Sequence, residues 1–598
     1  EITDSWLGLE EWTDGYGDGN IQLIGETNYT VKVFNSTLRS DFSACDTSSG
    51  CNSTYHNSEA SIRNSEIFGS VVLWQLGASD MNVNNSDISG SLDLKQLGDF
   101  NLYDSSLGSL VLESTNATVQ DSKIDGRTTI DSTILVISNS GSMGGISGDS
   151  DYVTIDNVTV TNSISIDGIS IDFTNSSVSS YVSLGHDFVN MTNITISSNY
   201  LDIASADNAY LSNVTVSDYL SGTIADLRLE DVDTGWGSST LRVGKLWMSN
   251  STFEKSSNPD NYYIYVSDLD NTNNASTSDI YIYNSTIKFN ANSNSDYTFR
   301  FDVKTTGDIR IIDSEINSTH FRTSVIELEG TDIQITNSTL WSGTKYTSYG
   351  CSSYCTDIDS HLNIYGDNLT VSDSLLMSDS QATGVHSSSS YRMRVYSYID
   401  IEVDNIDISG SSILSFSYHN DIRHNTDYRY VLSDFEIDSS SFDVSNSTLR
   451  SEIETGTNNC GSCIRPDFDI IVDGDDVLEI TDSWLGLEEW TDGYGDAYIE
   501  VRETNYTLAI SNSTLRTHLW ACYEDGDSGC NNTYYNSEVN IKDLTITHGV
   551  YLEQASDIIV TDTDFKSQLL IDTVNLTIAN TDIDAELETI NGKTDFVT

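Results

Sequence analysis

Residues 152–187 read as two lines of equal length, YVTIDNVTVTNSISIDGI (152–169) and SIDFTNSSVSSYVSLGHD (170–187). Each line opens with alternating apolar and polar residues, turns at an Asn and alternates again. The pattern continues in FVNMTNITISSNYLDIASAD and NAYLSNVTVSDYLSGTIA. The marker residues Asp121, Asn139, Asn157, Asn175 and Asn193 recur in steps of 18, and Asn213, Asp231 and Asn250 follow in steps of 20, 18 and 19. So regular a period means a solenoid. Alternation over four to six residues is the strand signature, and no longer window keeps helical spacing. At about 3.3 Å per residue, such a line makes roughly three faces of four or five residues plus corners, one coil of a triangular parallel β-helix. Coils stacked about 4.8 Å apart pair every backbone group with a neighbour. The inward stripe then includes Val153, Ile155, Val158 and Val160. Only two prolines, Pro259 and Pro466, interrupt the chain.

The corners carry a motif of their own: VFNSTL, IYNSTI, ITNSTL, VSNSTL and ISNSTL place Asn where one strand bends into the next. Asn is the non-glycine residue that best tolerates the left-handed conformation. In stacked coils such asparagines can also share amide hydrogen bonds. On these lines and corners the chain resembles the right-handed, pectin-lyase-like parallel β-helix proteins, which include large bacterial and archaeal surface proteins. The resemblance spans nearly the whole chain. It implies an all-β parallel β-helix with three faces and 18–20 residues per basic coil, and right-handed winding, because the glycine-bearing hexapeptide of the left-handed class is missing. It does not imply one function, since the family holds lyases, hydrolases, phage tailspikes and purely structural proteins.

Beyond about Asn258 the markers spread to Asn284, Asp313, Asn337, Asp373, Asn405, Asn446 and Asp482. The same coils are expected to carry corner loops there, near 259–278, 341–362, 379–398 and 416–430. Loops on a rigid scaffold are where contacts are made.

A longer repeat overlies the coils. EITDSWLGLEEWTDGYGD occurs at Glu1–Asp18 and again at Glu479–Asp496, and the match continues to the last residue, pairing 479–598 with about 1–122. The larger unit is therefore about 478 residues, read here as regular coils over 1–258, loop-bearing coils over 259–478 and a second copy from 479. Glu1 corresponds to a position inside the strand-like VLEITDSWL, so the expected parent is a tandem array or a chain that abuts another copy end to end. Trp6 and Trp12, repeated as Trp484 and Trp490, are read as an apolar loop over the solenoid flank.

With 91 acidic against 27 basic residues, the formal charge is −64. Such a field repels nucleic acid and anionic membranes, so neither is expected as a partner, and it suits a salty or cation-rich medium. No apolar run is long enough to span a bilayer, and no leader-like segment precedes Glu1. The eight cysteines form four local pairs, Cys45/Cys51, Cys351/Cys355, Cys460/Cys463 and Cys522/Cys530. Two of these pairs sit in equivalent segments of the repeat whose intervening loops differ, which points to disulfides and an extracellular compartment.

Sequons exceed what the composition would yield. Asn28, Asn35 and Asn52 keep theirs at Asn505, Asn512 and Asn531, and further candidates for N-linked glycans are Asn116, Asn157, Asn213, Asn250, Asn284, Asn317, Asn337, Asn368, Asn446 and Asn575. An Asn buried in a ladder cannot also carry a glycan. The Asp/Gly alternation of WTDGYGDG (Asp14, Asp18, repeated as Asp492, Asp496) and VDGDD (Asp473, Asp475) makes these candidate Ca²⁺ ligands, without the full EF-hand spacing. No catalytic constellation converges: GHD at Gly185–Asp187 and NTD at Asn425–Asp427 lack companion motifs on neighbouring lines, and no Ser sits in a nucleophile elbow. The expectation is a non-enzymatic, glycosylated surface protein that self-associates into a filament, sheath or layer. An adhesin for glycans or cells is the alternative, and a polysaccharide-degrading enzyme ranks behind both.

Overall fold

In the computed structural model, the described residues are all except 9–19, 24–28, 46–57, 236–238, 256–260, 270–274, 291–297, 348–356, 384–392, 420–428, 456–463, 474–476, 489–495, 503–505, 523–536, 584–586, 590–592 and 598. Among them there is no helix, and the strands pair in parallel with the coil before and the coil after. The fold is an all-β parallel β-helix. Two compact units are present, Glu1–Val243 and Gly244–Thr598.

In the first unit the register keeps the period of the sequence. Ile164 pairs Val182, Ile171 pairs Val189 and Val178 pairs Ile196. Ile164 with Ile166, Ile171 with Phe173, and Val178 are the buried apolar residues of one coil; Val182 with Leu184, Val189 with Met191, and Ile194 with Ile196 are those of the next. Three inward stretches per coil are the three faces that the 18-residue line predicts. Each stretch contributes only one or two apolar side chains, so the core is narrow and its cohesion comes from repetition along the stack.

Every corner marker of the regular region adopts the left-handed conformation, from Asp4 (φ 48°) to Asp231 (φ 54°). At several corners the amide Nδ2 of the Asn reaches back to the corner one coil earlier: Asn157 donates to Asn139 Oδ1 (2.9 Å), Asn193 to Asn175 Oδ1 (2.9 Å) and Asn213 to Asn193 Oδ1 (2.7 Å). The residue after the marker is repeatedly a buried Ser that does two jobs. Its hydroxyl donates to the carbonyl two residues earlier, as in Ser105 Oγ to Tyr103 O (2.6 Å), and accepts the backbone N–H of the preceding coil's Ser, as in Ser86 N to Ser105 Oγ (3.1 Å). The corner serine thus supplies an acceptor for a main-chain donor where the ladder breaks.

The second unit has the same corners with wider coils. Asn284, Asp313, Asn337, Asp373, Asn446 and Asp482 are all left-handed, but the coil between Asp373 and Asn446 turns at Gly410 (φ 60°), not at Asn405. Asn405 lies inside the strand Met393–Ser409. Much of the sequence expected as long loops is also strand, Thr339–Thr347, Ile358–Ser372, Leu375–Thr383 and Ser412–His419, while 259–260, 270–274, 348–356, 384–392 and 420–428 fall outside the described residues.

Within the strands of this unit runs a buried seam of serines. Ser360, Ser378, Ser397, Ser415, Ser433 and Ser451 are fully buried and spaced by 18 or 19 residues. Their hydroxyls form a chain, with Ser415 donating to Ser397 Oγ (3.0 Å), Ser433 to Ser415 Oγ (2.9 Å) and Ser451 to Ser433 Oγ (2.8 Å). The same oxygens accept main-chain donors: Asp379 N to Ser360 Oγ (3.0 Å), Tyr398 N to Ser378 Oγ (3.2 Å) and Phe416 N to Ser397 Oγ (3.2 Å). Small polar residues are needed because an apolar residue would orphan those amides. The 18-residue rhythm that the corner markers lose in this unit persists in its serines.

Candidate functional site

Among the described residues, chemistry gathers on the corner ladder, on the acidic flank of the second unit and on an apolar column of the first unit.

At the corner, Asn35, Asn157, Asn213, Asn250, Asn284, Asn337, Asn446 and Asn512 are exposed and left-handed. Asn368 and Asn575 are exposed on strands. The ladder amides therefore face solvent, and laddering does not bury them as the sequence reading supposed. Asn116 is half-buried, with Nδ2 donating to Asp99 Oδ1 (2.7 Å). Asn317, by contrast, is buried, and its Nδ2 donates to Glu315 Oε1 (3.0 Å). Asn28, Asn52, Asn505 and Asn531 lie outside the described residues. The corners also give the sequon excess a second origin. In Asn-Ser-Thr, Asn supplies the left-handed turn, Ser the buried hydroxyl and Thr the first residue of the next strand.

Cys45 and Cys522, equivalent in the long repeat, are each disulfide-bonded, buried and left-handed at φ 53° and 52°. Their expected partners Cys51 and Cys530 lie outside the described residues, as do Cys351, Cys355, Cys460 and Cys463.

The flank of the second unit is acidic by register. Asp302, Glu327, Asn363, Asp400, Glu436 and Asp469 follow one another in a single column, one per coil. At one end Arg300 bridges Asp302 (2.9 Å) and Glu327 (2.6 Å), and Lys304 bridges Glu327 (2.8 Å). At the other end, like charges crowd. Burial, then Asp467 and Asp434, push the Asp469 carboxyl up to about 8, and burial with Asp467 pushes Asp434 up to about 6. Aromatic rings line the same flank: His361 stacks on Tyr398 with centroids 4.8 Å apart, and Tyr498 stacks on Trp520 at 5.1 Å. Burial holds the His361 imidazole below its ordinary value, as does Arg300. An adjoining groove is lined by Glu327, Glu329, Tyr365, Glu402, Asp438 and Asp473.

Asp473 is one of the expected Ca²⁺ ligands. Asp496 is exposed, and its backbone N–H donates to Asp467 Oδ1 (3.2 Å). Asp14, Asp18, Asp475 and Asp492 lie outside the described residues. Among the described residues no three His, Cys, Asp or Glu side chains are brought together to hold a metal ion.

His186, of the GHD stretch, is fully buried, and neither ring nitrogen has a hydrogen-bond partner. Burial lowers its affinity for a proton, against the pull of Asp167 and Asp187. It occupies a coil position held one and two coils earlier by Gly168 and Ser150 and is closed off from any substrate. Asn425–Asp427 lies outside the described residues.

On the first unit, Ile134, Tyr152 and Phe188 share one outward column, broken only by Ser170, and are 39%, 50% and 47% exposed. Ile169 adds a further 37%-exposed side chain beside them. On so acidic a chain, this column is an apolar surface available for contact.

No protein-family model matches the chain, and neither a curated protein nor a solved structure gives a significant match. Among the described residues, no helix is long and apolar enough to cross a membrane.

Proposed function

We propose that this chain is a structural β-solenoid of an extracellular surface assembly, a filament, sheath or layer built by self-association, with glycans on its exposed corners. The observation that carries the reading is the junction within the duplicated segment. In the second copy, Ile480 pairs Val444 on one side and Ile510 on the other, and Leu485 pairs Leu449 and Leu515. Both side chains are fully buried. Among the described residues, one repeat therefore passes into the next through ordinary coil stacking. A motif that stacks on its own kind in this way adds length without changing its hydrogen bonding. In a tandem array the apolar column through Tyr152 and Phe188 recurs with each repeat and supplies lateral contact at a fixed interval, the arrangement that propagates into fibres.

Electron microscopy of native, undigested material, with and without a calcium chelator, tests this. Long fibres or sheets whose repeat is commensurate with one ~478-residue unit support it. Isolated particles at every concentration defeat it. Tyr152→Asp with Phe188→Asp separates the two contacts: end-to-end growth survives and side-by-side bundling is lost.

A further inference from the structure

A second column on the first unit contains a gap. Reading one residue per coil, it runs Arg127, Gly145, Ser163, Tyr181, Tyr200, Tyr219. The three tyrosines stack face to face, with centroids 5.3 and 4.9 Å apart and planes within 15° of parallel. Those spacings match the coil rise of about 4.8 Å, so the ring planes lie across the stack and the outer face of Tyr181 looks toward Ser163 and Gly145. Because these two residues are small, the column is empty for two coils between the Tyr181 ring and Arg127. The result is a cleft of about 470 Å³ whose rim adds Asp125, Asn162 and Ser165.

Backbone packing limits the two neighbouring glycines unequally, Gly145 needing only a few tenths of an ångström of give from its neighbour. A Cβ at neighbouring Gly144 would collide with Gly126 O, so Gly144 is required by the close approach of coils. A Cβ at Gly145 would meet nothing closer than Ser163 O at 3.3 Å, in an ordinary backbone conformation. Tyrosine at the equivalent of Ser163 is accepted in each of the three following coils. The end walls are held in place: Tyr200 and Tyr219 fix the plane of Tyr181, and Arg127 Nε donates to Ser147 Oγ (2.9 Å).

We infer that this cleft is a saccharide-binding site that takes a neutral pyranose ring edge-in between coils. The C–H face of a pyranose carries partial positive charge and packs on the electron-rich face of an aromatic ring. Asp125, Asn162 and the Arg127 guanidinium then surround the ring's hydroxyls with both acceptors and donors, as small-ligand sites require. Asp125 is itself in an ion pair with Lys123 (2.6 Å), which orients its carboxylate. The sugar is neutral because the chain carries a charge of −64 and the cleft offers its anion-binding groups only alongside Asp125. The inference stands apart from self-association and would hold for an isolated chain.

The test is saturation-transfer NMR and calorimetry on the full chain with methyl glucopyranoside, methyl mannopyranoside and methyl galactopyranoside, and with galacturonate as the anionic control. Millimolar binding of at least one neutral glycoside is expected, with transfer concentrated on one face of the ring and weaker binding of the uronate. Tyr181→Ala should weaken it at least tenfold. Ser163→Tyr extends the tyrosine stack into the cleft, keeps the β-sheet circular dichroism and should abolish binding even if the alanine variant folds poorly. Absence of saturable transfer from all neutral glycosides at tens of millimolar, preference for the uronate, or undiminished binding by folded Ser163→Tyr would each overturn the assignment.

Discussion

The backbone N–H of Ser338 donates to the hydroxyl of Ser374 one coil away (3.0 Å), and that hydroxyl donates in turn to Ser372 O (2.7 Å). Both serines are buried. The link repeats through Ser411, Ser447, Ser483 and Ser513, so each hydroxyl closes the main-chain accounting of the coil beside it.

Ser374→Ala should therefore cost about 1–3 kcal/mol, the penalty for orphaning the Ser338 amide. Ser372→Ala, at a half-buried position two residues earlier, is the control and should cost far less. Chemical denaturation of the parent and both variants checks this, and a Ser374→Ala protein as stable as the parent would remove the hydroxyl's assigned role.

At the corners, conformation matters before chemistry. Asn193 sits at φ 56° with its amide between Asn175 and Asn213. Asn193→Ala should lose about 1–2 kcal/mol from left-handed strain, whereas Asn193→Gly should lose less. Asn193→Asp should fold normally, since Asp121 and Asp231 hold the same corner. Thermal melts should place the alanine variant lowest, glycine above it and aspartate nearest the parent.

Glycan occupancy should follow exposure. Peptide mass spectrometry of natively expressed protein is expected to find glycans among exposed Asn157, Asn213, Asn284 and Asn337 and none on Asn317, whose side chain is enclosed. A modified Asn317 would mean that its coil opens before the chain is glycosylated.

His186 and the acidic flank of the second unit should respond to acid in opposite directions. Burial holds the His186 pKa below its ordinary 6.5, so the folded first unit binds fewer protons than its unfolded chain, and stability is lost as pH falls below about 6.5. Asp469 and Asp434 are raised from 3.8 to about 8 and about 6, so these two carboxyls bind more protons in the folded state, and the stability they contribute is lost as pH rises from 3.8 through those values. His186→Ser should flatten the acid limb, and Asp469→Asn should flatten the alkaline limb and raise the melting temperature at pH 8. Calorimetric melts across this range, at low and high salt, decide it. Salt should stabilise the acidic flank by screening.

Much of this was legible in one dimension. Alternation and an 18-residue period determine strands, faces and register, because side chains on a strand alternate with a period of two and a stacked coil must repeat its inward set. Asn and Asp at the markers determine the corners, since few other residues take a positive φ cheaply. The exception at Gly410 was hidden because glycine announces a turn anywhere, while Asn405 fitted the expected spelling. What only the tertiary structure decided is which residues of different coils become neighbours. The acidic column from Asp302 to Asp469, the serine seam and the cleft between Arg127 and Tyr181 are each assembled from residues 18 to 37 positions apart. Their burial, charge crowding and gaps depend on stacking about 4.8 Å apart, and no local stretch of sequence carries that information.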